Sequence, residues 1–188
     1  EHLFWGGGHV LQFLNVIMLI GGWFALGRKV HGEDPIDPTV FRMVVLLLML
    51  AVVPAPVFYF AFAKNPQKLT SVFIALQYGL GPPALIASVA MLITARRLKR
   101  ASGRGWPWHE LGLLAVALSM LVFAIGGAFG YVVDGQDTRT PAHYHGVIAG
   151  VNLVMMGLFL VVFLPAIGRS VNLTARNIRA QVMLFGLG

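Results

Sequence analysis

Six histidines punctuate an otherwise apolar chain: His2, His9, His31, His109, His143 and His145. Neutral imidazole is a common metal ligand, so their spacing is weighed first. His143 and His145 stand two residues apart. On a helix that spacing turns one side chain about 200° from the other, so the two rings leave nearly opposite faces and do not easily share one ion. A separate ligand on each side of one helix is the use that fits, and two hemes flanking the helix, each with one axial imidazole, would match it. The competing reading is structural, with each imidazole hydrogen-bonded to a neighbouring helix, and it applies equally to His9. His2, His31 and His109 fall at interfaces or in loops and read as ordinary polar groups. The chain has no cysteine, which excludes disulfides, iron–sulfur clusters and thiolate metal sites within it.

The elements that must carry these histidines are membrane spans. The chain is 57% hydrophobic and 11% charged, and its mean hydropathy is +0.78. A helix needs about 20 apolar residues to cross the bilayer core, and lipid leaves the backbone no partner but its own helix. Apolar runs over roughly 4–27, 40–63, 71–95, 108–133 and 142–167 predict five full spans, and a sixth begins near 178. The alternation of a membrane β-barrel is absent. The fold class expected is therefore all-α, a polytopic transmembrane helix bundle, with residues 1–188 as a single helical domain. The chain opens on Glu1 and stops at Gly188 inside apolar runs, and it is expected to be a piece of a longer polypeptide.

The net charge of +7 does not call for nucleic acid, because the basic residues gather at span ends, where topology places them. Loop 96–107 holds Arg96, Arg97, Lys99, Arg100 and Arg104 and no acid, so it is expected on the cytoplasmic side. Alternation then puts the outer end of the first span and the start of the fifth on the opposite side. His9, His143 and His145 are thereby expected at similar depth. Ionisable residues within spans are functional suspects by default. Gly6, Gly7 and Gly8 before His9 would admit close approach of another surface. Gly126, Gly127 and Gly130 on the fourth span read as helix–helix packing. Trp5, Trp23, Trp106 and Trp108 read as interface aromatics.

Taken together, four motifs resemble subunit I of the heme–copper oxidase superfamily. The run Glu1-His2-Leu3-Phe4-Trp5-Gly6-Gly7-Gly8-His9 resembles the start of that family's sixth helix. Phe123 through Gly130 resembles its ninth, Asp137-Thr138 followed by Ala142-His143-Tyr144-His145 its tenth, and Thr174 through Ile178 the entry to its eleventh. Order and spacing agree, and the resemblance covers nearly the whole chain. It implies that His9 takes the place of a copper ligand, His143 that of the proximal ligand of a high-spin heme, and His145 that of an axial ligand of a low-spin heme. Asp137 takes a place in the outer metal and propionate region.

The departures are equally specific. The family's adjacent histidine pair on the next helix is replaced here by Pro54-Ala55-Pro56-Val57-Phe58-Tyr59-Phe60, and no histidine lies between His31 and His109. One imidazole does not hold copper firmly. Phe13 stands where many oxidases carry a tyrosine, the lysine of the family's proton channel is not evident on the third span, and Ser88 or Tyr78 there could relay protons or equally serve packing. The resemblance thus implies a membrane subunit of a respiratory electron-transfer complex, with one or two hemes and an incomplete copper site. It would reduce oxygen or nitric oxide, or pass electrons without catalysis. The competing expectation is a heme-free scaffold or transporter. Implied partners are membrane lipid, further subunits or helices that complete the bundle, and cytochrome c or quinol as electron donor. The implied location is a bacterial plasma membrane.

Overall fold

The computed structural model describes residues 2–103, 105–133 and 138–188, with residues 2–5 described in backbone only. Helix α1 (His2–His31) is continuous over 30 residues. It ends at Gly32, whose φ of 73° favours glycine and whose N–H donates to the Arg28 carbonyl at 2.8 Å. Helix α2 (Pro38–Val52) starts on a capped turn. There the Asp37 carboxylate accepts from the N–H groups of Thr39 at 2.8 Å and Val40 at 3.4 Å. The Thr39 amide first, then that of Val40, holds the Asp37 carboxyl below its ordinary range.

Proline sets the interruptions. Pro54 and Pro56 supply no N–H to the helix behind them, and the second span breaks at Val53–Pro54 before resuming as α3 (Ala55–Ala61). Helix α4 (Pro66–Gln77) begins with proline in its first turn, and the Asn65 side chain accepts from Lys68 N–H at 3.0 Å. The loop expected over 64–70 is therefore shorter, because Asn65 and Pro66 form a helix start. A 3₁₀ turn at Tyr78–Leu80 precedes α5 (Gly81–Ser102), where Pro82 and Pro83 withhold two helical donors. Then come α6 (Leu111–Val132) and α7 (Arg139–Leu158). A π turn at Phe159–Phe163 leads into the short α8 (Leu164–Ala166) at Pro165. Helix α9 (Arg176–Leu187) closes the chain.

The fold is all-α. Five stretches among the described residues are long and apolar enough to cross a membrane: Gly6–His31, Pro38–Ala61, Pro66–Ser102, Leu111–Val132 and Arg139–Ala166. They overlap the five spans read from the sequence, and α9, a helix of 12 residues, lies where a sixth was expected to begin. Large apolar side chains on these stretches face outward, among them Leu46, Leu50, Val57 and Phe60, the last 85% exposed. Surfaces of that kind suit hydrocarbon and not water.

The chain sorts into two compact units. One holds residues up to Ile20 together with Ile36–Leu92, and the other holds Gly21–Pro35 and Ile93–Gly188. In the first, Ala55, Leu69 and Phe73 are buried among Val10, Phe58, Tyr59, Phe62, Val72 and Leu76. Gln77 Nε2 donates to Gln12 Oε1 at 2.9 Å, joining α4 to α1. In the second, α6 and α7 meet backbone to backbone. A Cβ on Gly126 would lie 2.5 Å from Val147 N and 2.8 Å from Gly146 Cα, while a Cβ on Gly150 would lie 2.7 Å from that of Phe123. Small residues let membrane helices close to this distance.

A buried hydrogen-bond chain ties three helices of the second unit together. Trp23 Nε1–H donates to Ser119 Oγ at 2.8 Å, and Ser119 Oγ–H donates to the Gly150 carbonyl at 2.6 Å. Trp23 also stands edge-on to Phe123, with ring centroids 6.1 Å apart. Trp23 is fully buried, so it is a core anchor and not the interface aromatic that its place near a span end suggested. Its indole N–H can be buried because Ser119 accepts from it.

Two outcomes are expected. Gly126→Ala should destabilise the protein in micelles by about 1–3 kcal/mol, since backbone atoms cannot step aside for the added methyl, whereas Gly127→Ala, with nothing within 4 Å of its Cβ, should be neutral or better. Equal losses of melting temperature for the two variants would refute the glycine contact. Ser119→Ala should cost on the order of 1 kcal/mol, and a double-mutant cycle with Trp23→Phe should show coupling; strictly additive unfolding energies would remove the Trp23–Ser119 bond from the account.

Candidate functional site

His143 lies on the first turns of α7 and is half-buried against α6. Its Nδ1–H donates to the Gly126 carbonyl at 2.7 Å. A carbonyl only accepts, so Nδ1 carries a proton, and in the neutral ring the lone pair is then on Nε2. Gly130, one turn beyond Gly126 on α6, makes room for the ring: a Cβ there would lie 2.7 Å from both His143 Cε1 and His143 Nδ1. Gly126, Gly127 and Gly130 of the fourth span thus divide their work. Gly126 brings the helices together and orients the imidazole, Gly130 clears space for it, and Gly127 faces open space.

His145 is exposed, and its Nδ1–H donates to the Pro141 carbonyl at 2.7 Å, four residues back on the same helix. It too keeps its lone pair on Nε2. The two imidazoles therefore share one tautomer while turning to different surroundings, His143 toward α6 and His145 along its own helix. A fixed Nδ1–H partner is what sets ring orientation and raises basicity in imidazoles that ligate metals. It equally satisfies a structural histidine in a membrane helix.

His9 belongs to the first unit and the other two to the second. It is buried, at 4% exposure, with its ring centroid 6.2 Å from that of Phe73. Phe73 in turn packs against Tyr59 at 5.0 Å and Phe58 at 5.8 Å between centroids. Phe58 and Tyr59 belong to the segment 54–60 that the sequence reading set against the histidine pair of heme–copper oxidases. The close approach expected at the triple glycine falls on Gly6 alone, which meets Tyr59 and Phe73, while Gly7 and Gly8 have nothing within 4 Å of their Cβ positions. Among the described residues, no group of three or more His, Cys, Asp and Glu side chains is placed to hold a metal ion. Asp137 lies outside the described residues. Phe13 is buried, and the Ser88 hydroxyl donates to the Ala84 carbonyl at 2.8 Å on its own helix.

Two polar features escaped the sequence reading. One is the Gly126 carbonyl that orients His143, which no local pattern announces because the partners are 17 residues apart. The other is the Gln12–Gln77 pair. Two glutamines within otherwise apolar spans were a visible signal, since polar groups in lipid seek one another. The i−4 spacing of Pro141 and His145 was visible as well.

No family model matches the chain, and no solved structure matches it. It is similar to an uncharacterized protein of Aquifex aeolicus (strain VF5), 30% identical over 167 residues that make up 87% of this chain and 38% of that protein. It is also similar to an uncharacterized protein of Rickettsia prowazekii (strain Madrid E), 22% identical over 200 aligned residues covering 94% of this chain and 39% of that protein. The chain thus spans about two fifths of the length of the curated relatives it matches.

Proposed function

We propose that the chain is part of a heme-binding membrane subunit of a respiratory electron-transfer complex, placed in a bacterial plasma membrane. One observation carries the reading. His143 and His145 lie two residues apart on a helix that begins a span, and both commit Nδ1–H to a carbonyl, so the neutral form of each ring has its lone pair on Nε2. That is the nitrogen and the tautomer an axial heme ligand requires. His143 would hold a high-spin heme and His145 a low-spin heme. Heme supplies reversible one-electron chemistry at its iron when bound. The protein's share is to orient the ligands: the Gly126 carbonyl keeps the His143 ring from turning, Gly130 leaves the volume it occupies, and the Pro141 carbonyl does the same for His145. The second ligand of a low-spin heme, the residues around the propionates and the electron donor, cytochrome c or quinol, would come from other helices or subunits. The resemblance of the motifs to heme–copper oxidase subunit I supports the same assignment.

A second reading, electron transfer without a copper-assisted reduction of oxygen or nitric oxide, is favoured by the surroundings of His9. Its ring neighbour is Phe73, backed by Phe58 and Tyr59, and aromatic rings offer copper no nitrogen ligands. We therefore assign copper no step in the chemistry.

The test is a reduced-minus-oxidised visible spectrum of the full-length protein purified in its complex. Low-spin heme bands are expected, and His145→Ala should abolish them while leaving carbon monoxide binding. His143→Ala should abolish carbon monoxide binding and spare the low-spin bands. A complex that carries no heme, or variants that leave both signals intact, would eliminate the proposal in favour of a heme-free scaffold whose histidines serve packing alone.

A further inference from the structure

The end of α5 carries a charged concavity that the heme reading does not use. Arg96, Lys99, Arg100 and Gly103 line a pocket of about 380 Å³ together with Trp106. On a helix, positions 96, 99, 100 and 103 fall within an arc of about 100°, so the three cations share one face. Gly103 adopts φ 62°, a left-handed turn, and the chain that follows brings Trp106 back against that face. Lys99 Nζ sits 5.2 Å from the Trp106 ring centroid, a cation–π distance. No carboxylate among the described residues pairs with Arg96, Lys99 or Arg100, and all three are exposed.

We propose that this pocket binds the phosphodiester headgroup of an anionic phospholipid. Topology alone asks only for basic residues near the end of a span; it does not ask for three of them on one face around a concavity closed by an indole. The cations also favour the helix C-terminus, but three full charges far exceed the half charge of that end and leave a net demand for an anion. The place is right for a lipid, because the cluster ends the apolar stretch Pro66–Ser102. Ile93, one turn back on the same face, is apolar and 62% exposed, which gives an acyl chain a surface below the headgroup. Trp106, half-buried, belongs at the headgroup level, where an indole is wet at one end and apolar at the other. A free phosphate ion would share the charge recognition but would make no use of Ile93.

The test uses the full-length protein in nanodiscs of zwitterionic phosphatidylcholine, titrated with phosphatidylglycerol and read by native mass spectrometry of retained lipid. Lys99→Gln and Arg100→Gln should each weaken retention about tenfold, the effect of losing one hydrogen bond between charged groups, and the triple Arg96→Gln/Lys99→Gln/Arg100→Gln variant should lose it almost entirely. Arg97→Gln removes the same charge at the same depth but lies off the pocket, about 100° round the helix from Arg96; it should change retention little. An equal loss in Arg97→Gln would reduce the effect to net charge and overturn the proposal. Displacement of the lipid by millimolar inorganic phosphate would also overturn it, by making the site one for the free ion. Heme spectra should be unchanged in all these variants, so failure here and failure of the heme reading are read separately.

Discussion

The close crossing of α6 and α7 is the contact on which the second unit depends. Gly126 and Gly146 lie so near that a methyl on either would strike the other's backbone. In lipid no hydrophobic force drives helices together, since hydrocarbon is as apolar as leucine. Close packing and hydrogen bonds must do it, and glycine permits both at once. The missing side chain at Gly126 brings α7 within reach, and the carbonyl of the same residue then accepts from His143. Ser119, two turns earlier on α6, reaches the Gly150 carbonyl of α7 and accepts from Trp23 of α1.

A rule about polar groups runs through both units. Among the described residues no buried side-chain nitrogen or oxygen lacks a hydrogen-bond partner. Water is not there to satisfy such groups at membrane depth, so each polar side chain on an inner face is matched by another: Gln12 by Gln77, Trp23 by Ser119, His143 by Gly126. The consequence for the histidines is chemical as well as structural. The same bond that makes His143 tolerable in the bundle fixes the tautomer of the neutral ring, and with it the nitrogen that keeps a lone pair. A structural histidine and a heme ligand are thus prepared by one interaction, and ligand binding is what separates them.

The first unit tells a different story from the same starting motifs. Where a metal was expected beside His9, Phe73 packs against the His9 ring, Phe73 and Tyr59 meet Gly6, and Phe58 backs Phe73. The prolines that flank Ala55 break the second span.

The span pattern was legible in the sequence because it rests on composition over about 20 residues, and long apolar runs between prolines and charges leave little choice of fold. Helix ends were less legible, since one side chain decides them: Asn65 shortened a loop that hydropathy alone extended to residue 70. That His143 and His145 turn to different surroundings followed from helical rotation. What each ring touches did not, because Gly126 is distant in the chain and its role needs α6 and α7 already packed. Trp23 makes the same point: position near a span end suggests an interface residue, and only the neighbouring helix that supplies Ser119 makes it a core one. Periodicity and composition are local properties and survive without a partner, whereas burial and hydrogen-bond pairing exist only between elements, and tertiary structure alone decides them.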